Sequence, residues 1–285
     1  SRASRAAESL HLSQPTLSVQ LKALEEELGK QLLIRGTKGS RKVLLTDEGM
    51  ILRKRAEEIL TLVQKAKSEV QMTDASIAGD VYIGAGETDI IRYFARAAKR
   101  MKKSCPDIRY HISSGNAQFV TEQLDKGLID FGLMYGPVDR TKYEALTLPI
   151  GDRFGVLMRR DDPLAQKEWI SPEELRDKPL ILSAQDRSEG WTVSSQIRQD
   201  VSHLNVAATY NLIFNASLMV EEGLGYAVCL DKLINTSGDS QLCFLPLRPE
   251  IVITPSIVWK RYQVFSKASE RFLQELTSVM DLPQK

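Results

Sequence analysis

Between Ser13 and Gly29 the apolar residues Leu17, Leu21, Leu24 and Leu28 recur at helical spacing, which predicts a helix with one apolar stripe. Ser13 is a good N-cap, Pro15 stands in a first turn where its missing N–H is harmless, and Gly29 is placed to end the helix. Opposite the leucines, Gln14, Ser18 and Lys22 make a polar line. A short helix over Arg5–His11 precedes, with Ala6, Ala7 and Leu10 on one side. The next stretch, QLLIRGTKGSRKVLLT (31–46), holds two apolar β-like runs around a Gly-rich tip, the pattern of a hairpin. Thr46 then caps a long helix in which Leu52, Ala56, Ile59, Val63, Ala66 and Val70 alternate in steps of four and three. That is a heptad seam, suited to packing against another helix, either on its own domain or on a second copy.

The pattern changes near residues 72–80, where MTDASIAGD is a loop signal. Beyond it, VYIGA (81–85), IRYHISS (108–114) and IDFGLM (129–134) read as strands separated by helices near 89–104 and 116–127. This βαβαβ order predicts a parallel sheet with helices on its faces. The theme returns in FGVLM (154–158), PLILS (179–183), VAATYNL (206–212) and GYAVCL (225–230), with helices near 190–200 and 215–223. A strand over Ile251–Trp259 and a helix near 265–280 close the chain. The expected class is α/β. Residues 1–45 form a head, 46–73 a connecting helix and 80–285 a body.

Length and composition narrow the function classes. A chain of 285 residues with 42% hydrophobic and 26% charged residues is expected to hold about two globular domains. No run approaches the roughly 18 apolar residues of a membrane span, and no secretory signal is visible, so a cytoplasmic location is expected. Three cysteines (Cys105, Cys229, Cys243) without C-x-x-C spacing argue against a disulfide framework. Three scattered histidines leave little for a metal site. Net charge is +1 overall, but residues 1–70 carry 13 basic against 9 acidic side chains, and the rest 25 against 28. A basic head on a mildly acidic body suits a polyanion partner at one end.

For the polar line of Gln14, Ser18 and Lys22, periodicity alone favours an ordinary solvated helix face. The basic tip of the hairpin that follows, with Arg35, Lys38, Arg41 and Lys42, adds a wing able to straddle phosphates. The run RAAESLHLSQPTLSVQLKALEEELGKQLLIR followed by LTDEG resembles the winged helix-turn-helix of LysR-type transcriptional regulators. The order of later elements is similar to that family's effector domain, so the resemblance covers nearly the whole chain. It implies double-stranded DNA as partner, with Gln14 and Ser18 reaching the major groove and Pro15 and Thr16 near base edges. Ser13, Lys22, Arg35 and Lys38 would then lie on phosphates. It implies a linker helix that pairs with its copy in a homodimer or homotetramer, and RNA polymerase as a partner if the output is activation. The family has one more helix before the Arg-Ala-Ala helix, so the head is expected to be incomplete at its start. Val19 stands where many members carry a polar residue, and the stretch from Arg35 to Thr46 is a few residues longer than usual.

In an open α/β sheet ligands gather at the carboxyl ends of the strands. Those ends carry Gly86-Glu87-Thr88-Asp89, Ser114-Gly115-Asn116, Tyr135-Gly136-Pro137 and Ser183-Ala184-Gln185, with Asn215 opening a later helix. Each polar group could serve only as an N-cap. Together they predict a cleft for a small polar effector held by Thr88, Ser114, Asn116, Tyr135, Ser183 and Asn215. The body resembles type 2 periplasmic-binding-protein folds, with lobe one about 80–150 and 255–285 and lobe two about 151–254. Crossings are expected at Leu146–Phe154 and Ile251–Val258. Glu87 and Asp89 favour a cationic or many-hydroxyl ligand over a plain dicarboxylate. The alternatives are a cytoplasmic small-molecule-binding protein or an enzyme on the same fold. GAGETD lacks the spacing of a nucleotide loop and no Ser/His/Asp set is apparent, so no catalytic residue, metal or cofactor is expected. The cysteines are expected to be buried small hydrophobes rather than a redox pair.

Overall fold

A computed structural model of the chain describes residues 2–35, 43–70, 77–184 and 204–280. Residues 1–66 and 67–285 form two separate compact units. In the first, α1 (Arg2–Ser9) and α2 (Gln14–Leu28) pack against each other ahead of a two-stranded antiparallel hairpin, β1 (Leu33–Arg35) and β2 (Val43–Leu45). Leu33 pairs with Leu45 and Arg35 with Val43. α2 starts one residue after Ser13, whose Oγ accepts the Thr16 N–H at 3.2 Å, and ends at Gly29 with φ 62°, the left-handed conformation only glycine adopts without strain. The leucine stripe is half-buried at Leu17, Leu21 and Leu24, while Leu28 is exposed.

α3 (Asp47–Val70) begins where sequence placed it. The Thr46 hydroxyl accepts the Gly49 N–H at 3.0 Å, and Asp47 and Glu48 complement the dipole in its first turn. The seam of this helix is open in the single chain: Ile59 is 59% and Val63 43% exposed.

In the second unit two sheets divide the chain. The first has the order β4 (Ile108–Ser114), β3 (Gly79–Ala85), β5 (Phe131–Met134), β13 (Ser256–Lys260), β6 (Tyr143–Thr147). β3 runs parallel to β4 and β5, as the βαβαβ pattern requires, and β13 is antiparallel to both neighbours. α4 (Ile91–Met101) and the final helix α7 (Lys267–Met280) cover one face over Phe94, Phe131 and Phe272, and α5 (Ala117–Asp125) covers the other through Val120 and Leu124. The second sheet has the order β11 (Leu242–Pro246), β7 (Asp152–Arg159), β10 (Tyr226–Leu230), β8 (Leu180–Ser183), β9 (Val206–Tyr210), with the short β12 (Val252–Ile253) also on β7. Val156, Leu180 and Ile170 fill one face, and Leu157, Ile181 and Ala216 the other, under α6 (Ile213–Glu221). The helix expected near 190–200 lies outside the described residues.

Three stretches of strand differ from the sequence reading. The run Ile251–Trp259 is broken into β12 and β13, because Pro255 cannot donate to a ladder and the chain changes sheets there. β6 and β11 went unread, since EALT and QLCFLP alternate too weakly to stand out from loops. Between the sheets the chain crosses twice, through 148–151 outward and 254–255 on return. The two crossings are tied together, Leu148 N–H donating to Pro255 O at 3.0 Å. Gly151 lets them run this close: a Cβ there would stand 2.6 Å from Val252 Cγ1.

Candidate functional site

On the first unit, α2 presents Gln14, Pro15, Thr16, Ser18 and Lys22 to solvent, all exposed. Gln14 is oriented by Ser4, whose hydroxyl donates to Gln14 Oε1 at 3.0 Å. Ser13 is engaged locally, with its Oγ 2.7 Å from Thr16 Oγ1 and serving as cap. Lys22 faces Glu26 at 3.5 Å across an exposed turn, an ion pair too solvated to hold the ammonium firmly. Arg35 closes β1, and Lys38 lies outside the described residues. One residue that periodicity did not single out ties helix to hairpin. Glu25 Oε1 accepts the backbone N–H of Leu32 at 2.8 Å and of Leu33 at 3.0 Å, just where β1 begins.

On the second unit a cavity of about 450 Å³ opens where the first sheet and α4 meet the turn that follows β10. From the side of the first sheet come Gly86, Glu87, Thr88, Asp89, Arg92, Ile112 and Ser114; from the turn, Lys232 and Leu233. Of the six expected effector residues, Thr88 and Ser114 line it. Tyr135 reaches the same chemistry from behind, because its hydroxyl and that of Thr88 both donate to the buried carboxylate of Asp152. Asn116 Oδ1 accepts the Phe119 N–H at 2.9 Å and so caps α5. Ser183 ends β8, and Asn215 is exposed on the first turn of α6; neither lines this cavity.

Asp152 itself was missed, since a lone Asp before FGVLM looks like a turn residue. Burial pushes its carboxyl above the usual carboxylate range, against the opposing pull of the Thr88 and Tyr135 hydroxyls. Burial and the adjacent Asp152 charge likewise push the Tyr135 phenol upward, so it is a hydrogen-bond donor and not a phenolate. Asp89 pairs with Arg92 on the rim. Glu87 Oε2 accepts the N–H of Ile213, the first residue of α6, at 2.5 Å.

The cysteines lie in cores or beside them. Cys105 and Cys229 are buried and Cys243 is half-buried. Burial, helped by Asp231, pushes the Cys229 thiol up to about 12, and burial raises Cys243 too, so neither favours the reactive thiolate. Among the described residues there is no cluster of three or more His, Cys, Asp or Glu able to hold a metal, and no helix long and apolar enough to cross a membrane.

Two family models match the chain. Residues 2–50 match the bacterial regulatory helix-turn-helix protein of the lysR family, and residues 74–281 match the LysR substrate binding domain. Among curated relatives, a probable RuBisCO transcriptional regulator of Synechocystis is 28% identical over 279 residues, covering 95% of this chain and 80% of that protein. The uncharacterized HTH-type transcriptional regulator YvbU of Bacillus subtilis is 27% identical over 250 residues, 88% of this chain and 80% of its own. Among solved structures, full-length CbnR complexed with its target DNA superposes with a TM-score of 0.71 at 17% identity, covering 97% of this chain and 94% of that one. A cysteine-to-aspartate variant of full-length OxyR from Pseudomonas aeruginosa gives 0.57 at 24% identity, over 99% and 93%. At these identities the structures establish the shared fold.

Proposed function

The chain belongs to the LysR family of DNA-binding transcriptional regulators, with a helix-turn-helix head and an effector-binding domain, and from that premise we propose how it senses and reads. The DNA would be read by Gln14 and Ser18 in the major groove, with Pro15 and Thr16 beside base edges and Ser13, Lys22, Arg35 and Lys38 on phosphates. The exposure of the whole polar line of α2 supports this reading, with Arg35 closing the first strand of the hairpin that follows. The open seam of α3 supports a homodimer, and pairing of the effector domains would complete a homotetramer. RNA polymerase would be the further partner of an activator. The protein would work in the cytoplasm.

The effector would be a small polar molecule held between the lobes at Thr88, Ser114 and Tyr135, with Asn116, Ser183 and Asn215 on its approach. The observation that carries this is the cavity of about 450 Å³, lined by residues of the first lobe and, from the turn after β10, by Lys232 and Leu233 of the second. A bound molecule that touches both lobes biases their relative position, which is how a ligand shifts a two-state protein. The test is a thermal-shift screen of the full chain against small polar metabolites. Any hit is then repeated on Thr88→Val with Ser114→Ala. A hundredfold excess over Kd should add about 2.7 kcal/mol to the wild type. A response that survives both substitutions would place the effector elsewhere.

A further inference from the structure

The contact between Glu87 and Ile213 crosses the cleft. Glu87 follows β3 on the first lobe, while Ile213 opens α6 on the second, 126 residues later. The N-cap residue of α6, Leu212, makes no side-chain cap of its own. The first turn of a helix presents unpaired N–H groups and the positive end of the dipole, and so attracts an anion. Here the anion is the chain's own carboxylate, reaching over from the opposite lobe.

The remaining polar groups of the cleft point the same way. Thr88 and Tyr135 both donate their protons to Asp152, and Thr88 Oγ1 also accepts the Ile90 N–H at 3.0 Å. Among the lining groups the Glu87 carboxylate accepts only, while the Ser114 hydroxyl can donate or accept; Tyr135 and Asp152 stand behind the lining, engaged with Thr88. Asp89 is balanced by Arg92 on the rim. Lys232, contributed by the second lobe, is among the described residues the one cation lining the cavity that makes no ion pair. A dicarboxylate in this cavity would therefore meet the charge of Glu87 at its wall, with Lys232 and the Asp89-paired Arg92 in its favour.

We propose that Glu87 is the specificity-determining residue of this cleft: it latches the lobes by capping α6 and excludes carboxylate ligands, leaving the site to a neutral or cationic molecule rich in hydrogen-bond donors. The inference rests on the reading of the cleft as the effector site. Calorimetric titration of the full chain with succinate at neutral pH tests it. Wild type should bind weakly or not at all. Glu87→Ala, which frees the helix end and removes the repelling charge, should gain about tenfold or more in affinity, the scale of one charge-assisted contact. Glu87→Gln should gain less, because its amide oxygen still accepts the Ile213 N–H while the charge is gone. Equal succinate affinity in wild type and Glu87→Ala, or no gain in either variant, would overturn the proposal. Failure of the cleft reading shows separately, as an effector response that survives Thr88→Val with Ser114→Ala, whatever succinate does.

Discussion

Thr88 and Asp152 stand on opposite sides of the lobe crossing, 64 residues apart in sequence, and are joined by a hydrogen bond of 2.5 Å between Oγ1 and Oδ2. Asp152 is the first residue of β7, directly after the outward crossing, and Thr88 is in the loop that follows β3. The pair thus fastens the cavity wall of one lobe to the hinge of the other. A ligand that draws the Thr88 hydroxyl toward itself would loosen that fastening, which links occupancy of the cleft to the angle between lobes.

The same carboxylate should make stability depend on pH. Burial raises the Asp152 pKa, Asp89 adds to the rise, and the two hydroxyl donors and Lys232 oppose it. A carboxyl whose folded pKa is raised contributes stability that is fully present below its unfolded value near 3.8 and is lost as pH climbs through the folded value. Wild type should therefore lose stability relative to Asp152→Asn as pH rises from near 3.8 through the folded value, and level off above it. Denaturant midpoints of the two proteins, measured from acid to neutral pH, check this. Parallel curves would mean that the carboxyl titrates as it does in the unfolded chain.

The open seam of α3 leads to a second expectation. Val63→Asp would place a charge in the apolar seam, which is strongly unfavourable unless the helices part. Sedimentation should show smaller particles, and operator affinity should collapse because two heads on one site owe their strength to being linked. Unchanged assembly with full DNA binding would mean the seam makes no contact with a second copy.

The two classes of DNA contact separate by substitution. A glutamine held bidentate to adenine is worth about 1–3 kcal/mol of discrimination, so Gln14→Ala should flatten sequence preference. Arg35→Ala should weaken binding to all sequences alike and reduce the salt slope by about one phosphate's share. Binding measured on cognate and scrambled duplexes at several salt concentrations resolves the two. A Gln14→Ala protein with its preference intact would move the reading face off α2.

Elements with strong periodicity were legible in the sequence, among them α2, α3 and the parallel strands β3, β4 and β5. In each, burial or capping repeats along the chain. The local composition near Glu87 and Thr88 also pointed to a stretch that lines the cavity. What stayed hidden depends on contacts made over long sequence distances. Asp152 gains its environment only when Thr88 and Tyr135 arrive from the other sheet, and Glu87 becomes a helix cap only when α6 meets it. Asn116 reads equally as ligand or cap until the Phe119 N–H is seen on its side chain. The break at Pro255 was visible as a residue, but its meaning needed the second sheet.

Glu25 shows how a motif residue carries a role that its motif does not disclose. It belongs to the Leu24-Glu25 pair on which the family resemblance rests, yet periodicity places it merely on the flank of an amphipathic helix. In the structure one carboxylate oxygen holds the N–H groups of Leu32 and Leu33, and Leu32 is buried. The end of α2 and the start of the hairpin are thereby fixed relative to each other. Removing the acceptor leaves a backbone N–H in a poorly hydrated position, which costs about 1–3 kcal/mol. Glu25→Ala should therefore lower the stability of the head by that order and weaken DNA binding, since the hairpin would no longer be held at one angle to the reading helix. Sequence preference should change little, because Gln14 and Ser18 are untouched. Glu25→Gln, whose amide oxygen can accept the same two N–H groups, should recover most of both losses. Denaturation midpoints and duplex affinities of the three proteins check this. If Glu25→Gln behaves like Glu25→Ala, the charge matters rather than the acceptor. If neither differs from wild type, the hairpin is positioned by its apolar contacts alone.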